Sequence, residues 1–159
     1  MVPVSEQADG LPLTAEEYEA VRAALVSTGV DRWADGRHRT LNSLFAQWTA
    51  LVEEVEAGYS WCAPELVNDI WCRGELAEVW PLLPPRVRSV RQPELDALDG
   101  RFRSATIAWP GRTEERGVWW KWRIPRLLEA EAGDRCERGW PLGWDMMPFP
   151  KPVAVKVSV

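Results

Sequence analysis

The chain has 159 residues, of which 46% are hydrophobic and 27% charged, and a formal net charge of −5. That length suits one compact domain able to bury about two-thirds of its unfolded surface, and the mixture excludes a disordered or low-complexity chain. No apolar run approaches the roughly eighteen residues of a membrane span, and MVPVSEQADG has neither a basic nor an apolar leader region, so a cytoplasmic chain with no membrane partner is expected.

Residues 1–13 carry Pro3, Gly10 and Pro12 without periodicity and read as an N-terminal arm. Thr14 followed by Glu17 is a capping box, in which the hydroxyl accepts from a free amide and the carboxylate reaches back. It opens a helix over 15–27, with Val21, Ala24 and Leu25 as its apolar face and Gly29 as its stop. DRWADGRHR is then a polar connection around Trp33. From Thr40 to Ala57, Leu41, Leu44, Phe45, Trp48, Leu51, Val52 and Val55 fall at steps of three and four, which predicts an amphipathic helix closed by Gly58.

Trp61-Cys62 and Trp71-Cys72 recur at an interval of ten within a Pro-containing stretch, too short a match to establish a repeat. Leu76, Val79, Trp80 and Leu83 predict helix over 75–83, and Pro84-Pro85 interrupts it. Val87, Val90, Leu95, Leu98 and Phe102 predict another over 86–106, bent or restarted at Pro93, whose ring clashes with the preceding turn. Residues 112–117 read as a charged loop, Val118–Ile124 as a short strand or extended strip, and Arg126–Ala132 as a final short helix. The Trp- and Pro-rich tail from 139 suits an extended segment packed on the domain, and VAVKVSV alternates as one strand needing a partner, either 118–124 or another protein. The expectation is therefore mainly α: four or five helices in a domain over 14–138, with an irregular Trp/Pro-rich C-terminal third, room for one short β-hairpin, and a tail over 139–159.

Little in the sequence carries chemistry. His38, the single histidine, lies between Arg37 and Arg39, where positive charge disfavours its protonation and no carboxylate orients it. Cys62, Cys72 and Cys136 are odd in number and far apart, which suits reduced thiols rather than a disulfide framework or a zinc site. Asp96 and Asp99 share a helix face with arginines nearby and read as a solvated pair. There is no Gly-rich phosphate loop, GxSxG elbow or HExxH motif, so no catalytic residue, metal or cofactor is expected.

The anomaly is eleven tryptophans. Trp48 and Trp80 sit on apolar helix faces and read as core, each able to bury roughly 200 Å². Trp119, Trp120 and Trp122 differ, because in an extended segment neighbours point to opposite faces and cannot all share one core. Arg112, Arg116, Lys121, Arg123 and Arg126 surround them. This pairing suits a protein interface, where Trp and Arg dominate hot spots. It also suits a single-stranded nucleic-acid surface, or cation-π stacking within the fold. Charge is uneven: residues 1–85 hold five basic and fourteen acidic side chains, residues 86–126 ten and five. Such asymmetry orients a charged partner.

LAEVWPLLPPRVRSVRQPELDALDGRFRSAT at 76–106, followed by WWKWRIPR at 119–126, resembles small Trp-rich helical proteins of GC-rich bacteria. The resemblance implies a small helical domain and carries over no site. The reading as a whole favours a non-catalytic macromolecule-binding protein with a protein partner, one form being an immunity or inhibitor protein whose acidic front half covers a cationic site. Trp119, Trp120, Lys121, Trp122, Arg116, Arg123 and Arg126 are its binding candidates. A nucleic-acid-binding strip over 112–126 and an enzyme of unrecognised type are the alternatives, and the oligomeric state stays open.

Overall fold

The computed structural model describes residues 12–112, 118–134 and 139–158. The described chain is mainly α, with four helices and two small sheets. Helix α1 spans Ala15–Ser27 and begins at the expected capping box: the Glu17 amide donates to Thr14 Oγ1 (3.1 Å) and the Thr14 amide to Glu17 Oε1 (2.9 Å). Only Ala24 and Leu25 of α1 are buried. A polar clamp adds to this thin apolar contact, as Arg86 forks onto Glu17 at 2.7–3.2 Å and donates to the Pro12 carbonyl at 2.7 Å.

Helix α2 spans Leu41–Ala57, and its seven buried residues are the seven apolar positions of its sequence stripe. Helix α3 spans Ala63–Val79 and runs into a single 3₁₀ turn at Trp80–Leu82. It starts well before the expected residue 75, because Pro64 sits in the first turn, where a missing amide costs nothing, rather than breaking a helix. Helix α4 spans Pro85–Ala105 and runs through Pro93, which stands on its exposed side. Arg91 takes a buried place on its inner face, with its guanidinium 4.1 Å over Phe45 and donating to Asn42 Oδ1 at 2.6 Å. Trp80 is half-buried, not fully enclosed; it packs on Phe45 and donates to Gln92 Oε1 (2.9 Å).

Strands β1 (Thr106–Ala108) and β2 (Arg123–Pro125) pair antiparallel, with Ile107 opposite Ile124. Strands β3 (Leu127–Glu131) and β4 (Ala154–Ser158) pair parallel. Two readings are corrected here. Residues 127–131 are strand rather than helix, alternating half-buried Leu127 and Glu129 with buried Leu128 and Ala130, and the terminal strand pairs with them and not with 118–124. Tyr59 lies along the other side of β3: its amide donates to Leu127 O and its carbonyl accepts from the Glu129 amide, both at 2.9 Å.

The segment from 139 is turned rather than extended. Its Trp144 is fully buried, and the Leu142 carbonyl accepts from the Ala63 amide (2.8 Å), one of the free donors at the start of α3. The segment from 139, the sheets and the helices share one core. No described helix is long and apolar enough to cross a membrane.

Candidate functional site

The aromatic strip is a 3₁₀ turn over Trp119–Trp122, not an extended segment. The three indoles meet different surroundings rather than sharing one place in the core. Trp120 points inward and is 2% exposed. Trp119 is half-buried under the Arg103 guanidinium at 3.7 Å, with Phe102 and Trp120 beside it. Trp122 is half-buried on the other side, edge-on to Trp109 (5.5 Å) and under Arg112 (4.4 Å). Lys121 is exposed.

Several arginines of the strip work inside the fold. Arg123 Nε donates to Thr106 Oγ1 (2.8 Å) and its Nη2 to the Arg103 and Thr106 carbonyls (3.1 and 3.3 Å). Arg126 Nε donates to the Thr106 carbonyl (3.1 Å). Together they tie the strip to the C-terminal end of α4, where free carbonyls attract cations. Arg116 lies outside the described residues.

Behind Trp120 stands a polar hub that the sequence did not disclose. Asp99, expected as half of a solvated pair with Asp96, accepts from Trp48 Nε1 (3.1 Å) and twice from Arg73 (2.8 Å each). The Arg73 guanidinium in turn stacks 4.4 Å over the Trp120 ring. On the next face of α3, buried Glu75 takes a two-pronged bond from Arg39 (2.6 and 3.1 Å), whose Nη2 also donates to Gln47 Oε1 (2.9 Å). Arg73 and Glu75 are thus both anchored, and Gly74 between them faces the Trp120 indole.

There the structure opens a cavity of about 260 Å³. Its walls include Ile70 and Gly74 of α3, Trp120 and Ile124 of the strip, and Trp109 and Phe149. Glu78 and Lys121, both exposed and opposite in charge, also border it, as do Val67 (56% exposed) and Trp71 (69% exposed). Trp120 Nε1 is buried there with no hydrogen-bond partner. A side chain at Gly74 would set its Cβ 4.0 Å from that nitrogen. The strip therefore contributes Trp120, Lys121 and Arg123 to this site, while Trp119, Trp122 and Arg126 lie outside its lining. The other wall was missed. Leu66-Val67 and Ile70-Trp71 put one apolar residue inside and one outside per turn, a doubled stripe that signals a helix with two apolar faces.

A second hollow of about 600 Å³ lies between α1 and the 31–42 segment, where His38 is exposed beside buried Arg39. Nucleophilic chemistry has little to work with. Burial, reinforced by Glu75, pushes the Cys72 thiol up to about 12, which keeps it protonated near neutrality. Cys62 is exposed, Cys136 lies outside the described residues, and no cluster of three or more His, Cys, Asp or Glu among the described residues is placed to hold a metal ion. No protein-family model, curated protein or solved structure matches this chain.

Proposed function

We propose that this chain is a non-catalytic binding protein that recognises a partner protein through the face where α3 meets the aromatic turn, in the manner of an immunity or inhibitor protein. The observation that carries this reading is the exposure of Val67 and Trp71, one helical turn apart on α3, beside an apolar hollow bordered by Glu78 and Lys121. Large aromatics at the edge of a concavity, ringed by charge, are the arrangement from which interface anchors are drawn. The acidic front half, including Glu65, Asp69 and Glu78 on α3 itself, suits a cationic partner surface and speeds encounter with it.

The test is a tagged pull-down from native lysate, with and without nuclease, comparing the wild type with Val67→Ser/Trp71→Ala. A stoichiometric protein that survives nuclease and is lost in the variant is expected, with affinity reduced about 30-fold for a loss of about 2 kcal/mol at one anchor. Because both side chains are exposed, the thermal midpoint should stay within about 2 °C of the wild type, a surface substitution being worth within about 0.5 kcal/mol. Equal capture by both proteins would move the interface elsewhere. Recovery of nucleic acid alone, released by salt, would replace this reading with a nucleic-acid-binding one.

A further inference from the structure

We propose that the groove between α3 and the aromatic turn seats an amphipathic helix of the partner, with two aliphatic side chains one turn apart filling the hollow over Gly74, a basic residue towards Glu78 and an acidic one towards Lys121. This deepens the partner reading and rests on it. The α3 wall of the groove runs from Leu66 to Glu78, about 18 Å of helical rise. Trp109, Ile124 and Phe149 stand in the opposite wall. Between them Gly74 presents no side chain, and a Cβ there would meet only Trp120 Nε1, at 4.0 Å, so the middle of the groove is open. Val67 and Trp71 stand exposed beside it.

The backbone of the walls decides between a helix and an extended segment. Helix α3 spends its amides and carbonyls on its own turns, while β2 is three residues long, is already paired with β1, and ends in Pro125, which has no amide. A strand laid against these walls would find no ladder to join and would bury polar backbone without partners. A helix arrives with its backbone bonded internally and offers only side chains to the groove.

Volume and charge set the face of the guest helix. A space of about 260 Å³, against the roughly 150 Å³ void that takes up benzene, holds two aliphatic side chains. Helix residues three or four apart lie on one face, so two such anchors enter side by side. The charged lining is divided. Glu75 is held by Arg39, and Arg123 by Thr106 and the Arg103 carbonyl. Glu78 on α3 and Lys121 on the opposite wall are exposed, and among the described residues neither is in an ion pair. Opposite charges on opposite walls admit a helix that is basic on one flank and acidic on the other in one orientation, and repel it in the reverse one.

Random peptides of about sixteen residues, displayed on phage and selected on the full chain, are the probes. Enriched sequences are synthesised and titrated by fluorescence anisotropy against the wild type, Trp71→Ala and Glu78→Lys. Both positions are exposed, so the thermal midpoints of the variants should match the wild type. The binders should carry apolar residues at i and i+4 and gain helicity on binding. Trp71→Ala, or a proline placed between the two anchors of the peptide, should weaken them by about tenfold or more. Glu78→Lys should weaken a peptide with a basic flank about fivefold, and changing that flanking residue to Glu should restore it. Absence of any binder that depends on Trp71, dependent binders with apolar residues at alternate positions, or failure of the charge exchange to restore binding would each overturn the proposal. A lysate protein lost in Val67→Ser/Trp71→Ala, with no helical binders here, refutes this inference and leaves the partner reading standing. Helical binders beside a capture that the same variant does not change refute the place assigned to the partner, not the helical preference of the groove.

Discussion

Asp99 accepts three hydrogen bonds from two buried side chains, the Trp48 indole and the Arg73 guanidinium, and through Arg73 it sets the back of the Trp120 ring. Replacing it with alanine leaves a cation whose side chain is 9% exposed without its carboxylate, and an indole N–H without an acceptor. Breaking such a pair from one side costs about 3–5 kcal/mol, far more than the pair contributes over an apolar substitute. Urea unfolding of Asp99→Ala should show a loss in that range, and a loss below about 1 kcal/mol would mean that Arg73 reaches water instead. The sequence could not disclose this role. The three-residue step from Asp96 to Asp99 fixes a helix face, but not that Trp48, fifty-one positions away, is opposite it. Asp96, the other member of that pair, does lie exposed, accepting from Gln92 on its own helix (2.8 Å).

Between elements, one glycine decides how closely α2 and the mixed backbone of Tyr59, β3 and β4 can approach. Gly58 ends α2 with φ at +126°, and a Cβ there would lie 3.1 Å from Glu129 Cβ and 3.5 Å from the Glu129 amide nitrogen. Both the left-handed backbone and the contact with β3 penalise a side chain, so Gly58→Ala should lose roughly 1–3 kcal/mol. Gly74→Ala, in a helix with open space, should gain roughly 0.5–1 kcal/mol, so thermal unfolding of the two variants should move in opposite directions. Gly58 as the end of α2 was legible because a single strong stripe ran up to it. Its contact with β3 was not. LLEAE over 127–131 has good helix formers and only five residues of alternation, and what makes it a strand is backbone pairing with Tyr59 and with β4, both remote in sequence. The same limitation hid the cavity wall: the 119–126 strip announced itself by composition, while α3 announced neither its early start at Ala63 nor which of its faces stayed open.

Across the whole molecule, the uneven charge seen in the sequence is partly spent on joining distant pieces. Acidic α1 meets basic α4 through Glu17 and Arg86, and acidic α2 meets α4 through Glu56 and Arg101 (2.6 Å). The Arg86 guanidinium, aided by the Thr14 amide, holds the Glu17 carboxyl at about 2, below its ordinary 4.5, and Arg101 lowers Glu56 in the same direction. A carboxyl whose folded value is depressed contributes stability above its unfolded value, and that contribution fades as pH falls towards the folded one. Glu54 runs the other way, because burial raises it, so its ionised form opposes folding near neutrality and acid relieves that opposition. Two depressed groups against one raised group predict net loss of stability in acid. Glu17→Gln isolates the largest contribution, because the amide oxygen still accepts from the Thr14 amide while the charge facing Arg86 is gone. Near neutral pH this variant should unfold at lower urea than the wild type. The gap should narrow as pH falls from 4.5 and close as it approaches about 2, where the wild-type carboxyl is also protonated. A gap that stayed constant across that window would mean that the clamp acts through packing of the Arg86 side chain rather than through charge, and that α1 is held on the bundle chiefly by Ala24 and Leu25.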